Sequence, residues 1–216
     1  MSVLLSTVMG GNCWADESYF PNPATGGRKQ APLVEIYNAK RVFPGILSGG
    51  QPTHEQLKEA KSRGYKTVIN LRPVGEARGN AEAQAVRGLG MKYLNIPVTG
   101  VGGITIENSE LLVSALAAAD YPVMVHCASG NRVGALFALD AALRAKLPLE
   151  GAIETGKLAG MTRLEGVVRN KIVQEKRLGS AEQQAGSAAV EANGDVLRDC
   201  ENSGSGPVLA ANLSCE

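Results

Sequence analysis

The chain has 216 residues, of which 44% are hydrophobic and 20% charged, and its 22 Lys and Arg against 21 Asp and Glu give a formal net charge of +1. This length suits one domain of ordinary size with a hydrophobic core. The sequence contains no apolar run of the roughly 18 residues that a transmembrane helix needs, so no membrane span is predicted. The balanced charge and the 4% aromatic content argue against nucleic acid as a partner.

Residues 1–32 are predicted to be a leader outside the folded domain. Their first part is mildly apolar and ends in Cys13-Trp14-Ala15, but no Lys or Arg precedes it. This pattern is compatible with the remnant of a signal peptide or with a frayed N-terminus.

The first predicted elements are a strand, a helix and a second strand. Residues 46–48 form a short apolar strand, and Thr53 with Gln56 has the spacing of a capping box that opens a helix. Gly64 ends this helix. Residues 67–71 (TVINL) are the clearest strand in the sequence because they are apolar and β-branched.

The next elements repeat this alternation. A polar loop leads into an Ala-rich helix from about residue 81 to residue 89, and residues 92–98 form another strand. Thr105 caps a third helix. We predict that this helix packs into the core through the apolar stripe of Leu111, Leu112, Ala115, Leu116 and Ala119.

Residues 122–126 (PVMVH) are predicted to be a buried strand, followed by a helix over 131–146 and further helical residues to about 177. Strands separated by helices of this length require crossover connections. The sequence therefore predicts a three-layer α/β fold, with a small, mainly parallel sheet flanked by helices, over residues 33–178.

Residues 179–216 are rich in Ala, Gly and Ser and contain no aromatic residue, so we predict a low-complexity flexible tail. A disulfide between Cys200 and Cys215 in this tail would stabilise the protein by about 3 kcal/mol. That bond would imply export, and the periplasmic or secreted location is favoured over the cytoplasm. The alternative is a pair of free thiols in a reducing compartment.

The segment from Val125 to Gly134 carries the strongest functional signal. Cys127 ends a buried strand, and Arg132 lies in the first turn of the next helix. The N–H groups of a small-residue loop and the positive end of a helix dipole can bind a tetrahedral oxyanion and favour the thiolate form of a cysteine. An arginine adds a two-pronged donor for two oxygens of the same group. The loop residues expected to bind substrate are Ala128, Ser129, Gly130 and Asn131.

This segment resembles the phosphate-binding loop of protein tyrosine and dual-specificity phosphatases in its His-Cys pair and its final Arg. Those enzymes place five residues between Cys and Arg, whereas this chain has four, and Val133 stands where they usually have Ser or Thr. The shorter loop is similar to the active loop of rhodanese-like sulfurtransferases, in which the cysteine carries a persulfide.

Residues 33–160 resemble the bacterial phosphatase-like domain of beta-lactamase-hydrolase-like proteins. The resemblance rests on Leu47–Thr53, Gly64–Pro73, Tyr93–Val98 and the cysteine loop. It implies a cysteine-phosphatase-like fold over the domain predicted at 33–178. Members of that family are described both as phosphatases and as sulfurtransferases.

A cysteine phosphatase needs an acid that protonates the leaving oxygen. The candidates are Glu76, Glu107 and Asp120, and Glu76 is favoured because loops at the carboxyl ends of parallel strands gather over one site. Arg72, in the same loop, is predicted to be a second anion contact. His126 is predicted to pack under the cysteine loop and orient it, as part of the substrate-binding set.

The sequence thus predicts a phosphatase acting on phosphate monoesters, with Cys127 as nucleophile, Arg132 as phosphoryl ligand and Glu76 as acid. No metal or cofactor is predicted, since the cysteines show no zinc-type spacing. The partner is a phosphorylated protein or small molecule. Two alternatives stay open: a sulfurtransferase that uses a Cys127 persulfide, and a catalytically silent phosphate-binding module.

Overall fold

The structure, a computed structural model, describes residues 29–41, 43–76 and 81–181. The chain divides into two units, of which the first ends at Ile172. The described residues of the second unit, 173–181, are helical. Most of the predicted leader and tail, and the proposed disulfide between Cys200 and Cys215, lie outside the described residues. Ala31 is buried in the core although it falls within the predicted leader, so the packed domain begins before residue 33.

A four-stranded parallel sheet lies at the centre of the first unit. Its strands are β1 (Ile46–Gly49), β2 (Thr67–Asn70), β3 (Lys92–Asn95) and β4 (Val123–His126), arranged in the order β1-β4-β2-β3. β4 pairs with β1 on one side and β2 on the other, and all three strands are buried along their whole length. The chain therefore leaves the middle of the sheet at the residue after β4.

Helices cover both faces of this sheet. They are α1 (His54–Ser62), α2 (Ala81–Gly88), α3 (Ile106–Ala117), α4 (Asn131–Leu143), α5 (Leu149–Leu158) and α6 (165–172). One core joins α1 and α2 to the sheet through side chains such as Leu57, Val86 and Met124. The other joins α3 to α6 to the opposite face through side chains such as Leu136 and Ile153. The three-layer prediction is confirmed.

The predicted helix starts are confirmed. Thr53 and Gln56 form the full capping box of α1, and Thr105 accepts a hydrogen bond from the Asn108 amide at the start of α3. Two predictions were wrong in detail. β3 ends at Asn95 rather than at residue 98, because the Arg72 N–H, which would continue the ladder, bonds instead to the Asn70 side chain.

The predicted apolar stripe of α3 also needs correction. Leu112 and Leu116 are buried as expected, but Leu111 is 55% exposed. Adjacent helix positions are about 100° apart, so Leu111 lies outside the face that Leu112 and Leu116 press into the core. Among the described helices, none combines the length and apolarity required to cross a membrane.

Candidate active site

The cysteine loop, residues 127–130, begins where β4 leaves the middle of the sheet. The Cys127 N–H donates to the Gly49 carbonyl at 3.2 Å, which continues the pairing with β1. The Ala128 carbonyl accepts from the Gln51 amide at 3.2 Å, and the Ser129 carbonyl accepts from the Asn38 side chain at 3.1 Å. The chain before α1 therefore holds the carbonyls of the loop from outside.

This outer anchoring sets the direction of the loop's amide groups. In a trans peptide the N–H points opposite to the C=O of the preceding residue. The Gly130 N–H accordingly points away from Asn38, and it donates to Cys127 Sγ at 3.2 Å. Gly130 has a φ of 82°, a left-handed conformation that suits glycine. The loop thus bends around the sulfur of Cys127.

Arg132 projects from the first turn of α4 and faces the same sulfur. Its Nη1 donates to the Val98 carbonyl at 2.8 Å and to Glu76 Oε2 at 2.8 Å, while its Nη2 donates to Glu76 Oε1. The guanidinium is therefore held in a two-pronged pair with one carboxylate. The same geometry would bind two oxygens of a phosphoryl group.

The charges at this pair stabilise one another. The hydrogen bond from Arg132 is the main reason that the pKa of Glu76 lies below its usual value, with a further contribution from Arg72. Burial works against the charged form of Arg132, but Glu76 and Cys127 outweigh it and raise the pKa of the guanidinium. Glu76 is consequently an ionised carboxylate in this conformation.

Arg72 lies on the other side of Glu76. Its Nε donates to Glu76 Oε1 at 3.2 Å, its Nη2 donates to the Glu76 carbonyl, and its Nη1 donates to Gln51 Oε1. The structure thus brings the predicted residues Arg72, Glu76 and Arg132 together, with one carboxylate between two guanidinium groups. Cys127 is 1% exposed beneath this layer.

His126 does not line the loop's interior. Its ring is fully buried, with Nε2 2.7 Å from Glu82 Oε1 and Nδ1 3.4 Å from the Cys127 carbonyl. A direct substrate contact, which the predicted substrate-binding set included, does not fit this position. The ring instead lies beneath the loop, as the predicted orienting role requires.

Asn131 is also occupied elsewhere. Its Oδ1 accepts from the Thr162 and Arg163 amides at 2.8 and 3.1 Å, and the helix cap position is Gly130, which has no side chain to cap α4. The Asn131 side chain therefore ties the segment after α5 to the start of α4. A substrate contact through the Asn131 side chain is not supported by this geometry.

The other two acid candidates have no contact with the cysteine loop among the hydrogen bonds and ion pairs of the described residues. Asp120 precedes β4, pairs with Lys92 at 2.8 Å and offers its carbonyl to Thr67, the first residue of β2. It is therefore at the amino end of the sheet, opposite Cys127. Glu107 lies in the first turn of α3 and is solvated.

Glu82 and Gln51 are site residues that the sequence analysis missed. Glu82 accepts from His126 and from the Gln51 side chain, and its own side chain is 8% exposed. Burial opposes its ionisation, but the contacts with His126, and more weakly with Gln51 and Arg72, hold the pKa of Glu82 below its usual value. A usable signal was its place in the first turn of the helix after the Glu76 loop.

A cavity of about 400 Å³ lies next to the starts of α1 and α2. Its polar wall contains Gln51, Arg72 and Glu82, and its apolar wall comes from the start of α1 and α2. Gln51 connects this cavity to the cysteine loop, because its backbone amide bonds to the Ala128 carbonyl. No cluster of three metal-ligating side chains occurs in the parts of the chain that the structure describes.

Comparison with known proteins shows what this segment is similar to. Residues 38–144 match the family model for the phosphatase-like domain of beta-lactamase hydrolase-like proteins. This segment is therefore similar to that domain family. A beta-lactamase hydrolase-like protein of Xylella fastidiosa (strain Temecula1) is 39% identical over 98 residues, which cover 44% of this chain and 22% of the relative. The Agrobacterium fabrum relative is 32% identical over 126 residues, covering 56% and 29%. The chain thus spans less than a third of either relative.

Solved structures agree on the fold. TpbA of P. aeruginosa superposes with a TM-score of 0.52 at 17% identity, covering 72% of this chain and 98% of that one. A variant of TpbA was solved in complex with phosphotyrosine, and it superposes with a TM-score of 0.51 at 17% identity, covering 73% and 99%. The fold is that of the protein tyrosine and dual-specificity phosphatases, and the predicted family resemblance and fold are confirmed.

Proposed function

We propose that this domain is a cysteine-dependent phosphatase that hydrolyses phosphate monoesters. The observation that carries the proposal is the two-pronged pair between Arg132 and Glu76 beside the sulfur of Cys127. A carboxylate here occupies the donors that would bind two phosphoryl oxygens. The similarity to that domain family and the fold support the same interpretation.

The reaction follows from this arrangement. The thiolate of Cys127 attacks phosphorus, so a P–S bond forms while the bond from phosphorus to the leaving oxygen breaks. Arg132 and the amides of Ala128 and Ser129 bind the other phosphoryl oxygens, while the Gly130 amide donates to the Cys127 sulfur. Water then attacks phosphorus, the P–S bond breaks, and inorganic phosphate and the thiolate are released.

Glu76 must leave Arg132 before a phosphoryl group can take its place. The displaced carboxyl then shares Arg132 and Arg72 with the phosphoryl dianion. Its ionised form is therefore stabilised less than in the free site. Protonation of Glu76 becomes easier at the moment when the leaving oxygen needs a proton. This sequence of events lets Glu76 serve as the proposed acid, with Arg72 as the second anion contact.

One feature favours sulfur transfer as a second candidate. The cysteine loop has four residues between Cys127 and Arg132, the length that resembles rhodanese-like enzymes. In that reaction the Cys127 thiolate would take the outer sulfur of a thiosulfonate donor such as thiosulfate, which releases sulfite, and would then pass it to a nucleophile such as cyanide. The same thiol would serve both chemistries.

The test compares the unsubstituted chain with Cys127→Ser in two assays. Release of inorganic phosphate from an aryl phosphate, abolished in Cys127→Ser, is the expected result. Thiocyanate formation from thiosulfate and cyanide, with no phosphate release, would replace the proposal with sulfur transfer. Retained tungstate binding without either product would mark a silent phosphate-binding module and would contradict the proposal.

A further inference from the structure

The polar side chains beneath the site form one connected chain of hydrogen bonds. Arg72 donates to the Gln51 side chain, Gln51 donates to Glu82 Oε2, and His126 lies 2.7 Å from Glu82 Oε1. Glu82 is thus the acceptor on which both branches end. One branch leads to the base of the cysteine loop, and the other leads to the guanidinium that holds Glu76.

Both branches reach groups of the proposed reaction. The His126 ring lies 3.4 Å from the Cys127 carbonyl, and the Gln51 backbone amide holds the Ala128 carbonyl. Arg72 holds Glu76, which in turn pairs with Arg132. A movement of Glu82 would therefore alter the loop amides and the arginine together.

The burial of this carboxylate is costly unless it is fully paired. Its side chain is 8% exposed, and the ring of His126 is not exposed at all. A buried carboxylate with two hydrogen-bonded partners is fixed in place, since each partner lost leaves a buried polar group unsatisfied. The proposed reaction does not place Glu82 in contact with substrate. If the role of this position were only to stabilise the fold, an apolar residue could fill it without the cost of burying a charge.

We propose that Glu82 is a positioning residue, which holds the cysteine loop through His126 and Gln51 and holds the Arg72–Glu76 pair through Gln51. Glu82 can hold both groups because one of its oxygens accepts from His126 and the other accepts from Gln51. An amide in its place can accept on one side only, and its NH₂ group then faces either the Gln51 amide or the His126 ring, which can accept from it only after Nε2 gives up its proton. The inference depends on the proposed function only for its turnover readout.

The decisive experiment exchanges the amide and the carboxylate. Glu82→Gln breaks the donor and acceptor order, whereas the double variant Gln51→Glu with Glu82→Gln restores it. In the double variant the amide now at position 82 accepts from His126 and donates to the carboxylate now at position 51, which also accepts from Arg72. Net charge is the same as in the unsubstituted chain. Glu59→Gln, which removes an exposed carboxylate paired with Arg63, is the matched control.

We expect Glu82→Gln to lower kcat for an aryl phosphate about tenfold or more, because small misplacements of reacting groups have effects of this size. Tungstate binding, measured by calorimetry, should weaken about tenfold for the same reason. The double variant is expected to restore both quantities to within about threefold. Glu59→Gln should change neither.

Three results would overturn the inference. Unchanged kcat and tungstate affinity in Glu82→Gln, with only a lower melting temperature, would show a purely structural role. Tighter tungstate binding in Glu82→Gln would show that only its negative charge matters. A double variant that folds but stays as impaired as Glu82→Gln would exclude hydrogen-bond order as the cause. If the chain binds tungstate but hydrolyses nothing, the proposed function fails while the inference is still decided by calorimetry.

Discussion

The two faces of the sheet hold the cysteine loop in different ways. On the face covered by α3 to α6, contact is almost wholly apolar, and α4 is buried along most of its length. On the face covered by α1 and α2, the apolar core is smaller, and its edge beside the loop carries Arg72, Glu76, Gln51 and Glu82. Close packing thus fixes the helix that carries Arg132, whereas paired charges fix the surroundings of its guanidinium.

This difference predicts separate consequences of substitution. A substitution on the α4 side alters packing and is expected to lower mainly the free energy of unfolding. A change on the α1 and α2 side alters the charges and hydrogen bonds near the reacting groups, which is felt mainly in turnover and anion binding. The substitutions below test each side, beginning with the residue in which both sides meet.

Arg132→Lys should have the largest effect. Lysine keeps the charge but has no planar fork, so it can bind neither Glu76 nor a phosphoryl group with two parallel hydrogen bonds. We expect kcat for an aryl phosphate to fall about 10³-fold, measured at saturating substrate, with little change in melting temperature. Arg63→Lys, in an exposed pair with Glu59, is the control. Ordinary turnover by Arg132→Lys would remove Arg132 from the mechanism.

Gly134→Ala tests the packed side. A Cβ at Gly134 would lie 2.3 Å from the Met161 nitrogen and 2.4 Å from the Gly156 carbonyl, both backbone atoms that have little room to move. We expect a loss of about 1–3 kcal/mol in the free energy of unfolding, measured with urea. Gly151→Ala in α5 meets nothing closer than 3.9 Å and should be neutral or stabilising by up to about 1 kcal/mol. Equal stabilities of the two variants would contradict tight α4–α5 packing.

The sequence predicted local backbone structure better than the contacts between distant residues. The strands, the caps at Thr53 and Thr105 and the Cys127 loop follow from local rules that relate residue type to backbone geometry. The burial of Leu111 was predicted wrongly, because local rules do not show which of two neighbouring helix positions faces the sheet.

The charged side depends on contacts between distant residues. Arg132 and Glu76 are 56 positions apart, and His126 and Glu82 are 44 apart. The predicted parallel topology correctly placed Arg72 and Glu76 at the carboxyl end of the sheet. No local pattern, however, could show that Glu76 pairs with the guanidinium of Arg132, or that Glu82 is buried against His126 rather than in solvent.

Glu76→Gln tests the charged side directly. Removing the carboxylate frees Arg132 from a competing anion, so tungstate should bind about tenfold more tightly, a gain of about 1.4 kcal/mol. If Glu76 is also the acid, kcat should fall more for phenyl phosphate than for p-nitrophenyl phosphate, whose leaving oxygen needs no proton.

The two readouts separate the roles of Glu76. Tighter tungstate binding with equal kcat changes for both esters would leave Glu76 as a counter-ion and assign the acid elsewhere. Unchanged tungstate affinity would show that the pair with Arg132 does not compete with the phosphoryl group. Glu59→Gln again serves as the control, since its carboxylate is exposed and paired within α1.

Ser109→Ala should have the smallest effect and sharpens the contrast between the two faces. Ser109 is buried in α3, and its hydroxyl donates to the Leu136 carbonyl of α4 at 2.8 Å. That carbonyl also belongs to the helix ladder, so losing the hydroxyl leaves no orphaned acceptor. We expect a loss of about 1 kcal/mol in urea unfolding and no change in kcat. A tenfold fall in kcat would mean that this single hydrogen bond, and not close packing alone, sets the position of Arg132, and the division between the two faces would not hold.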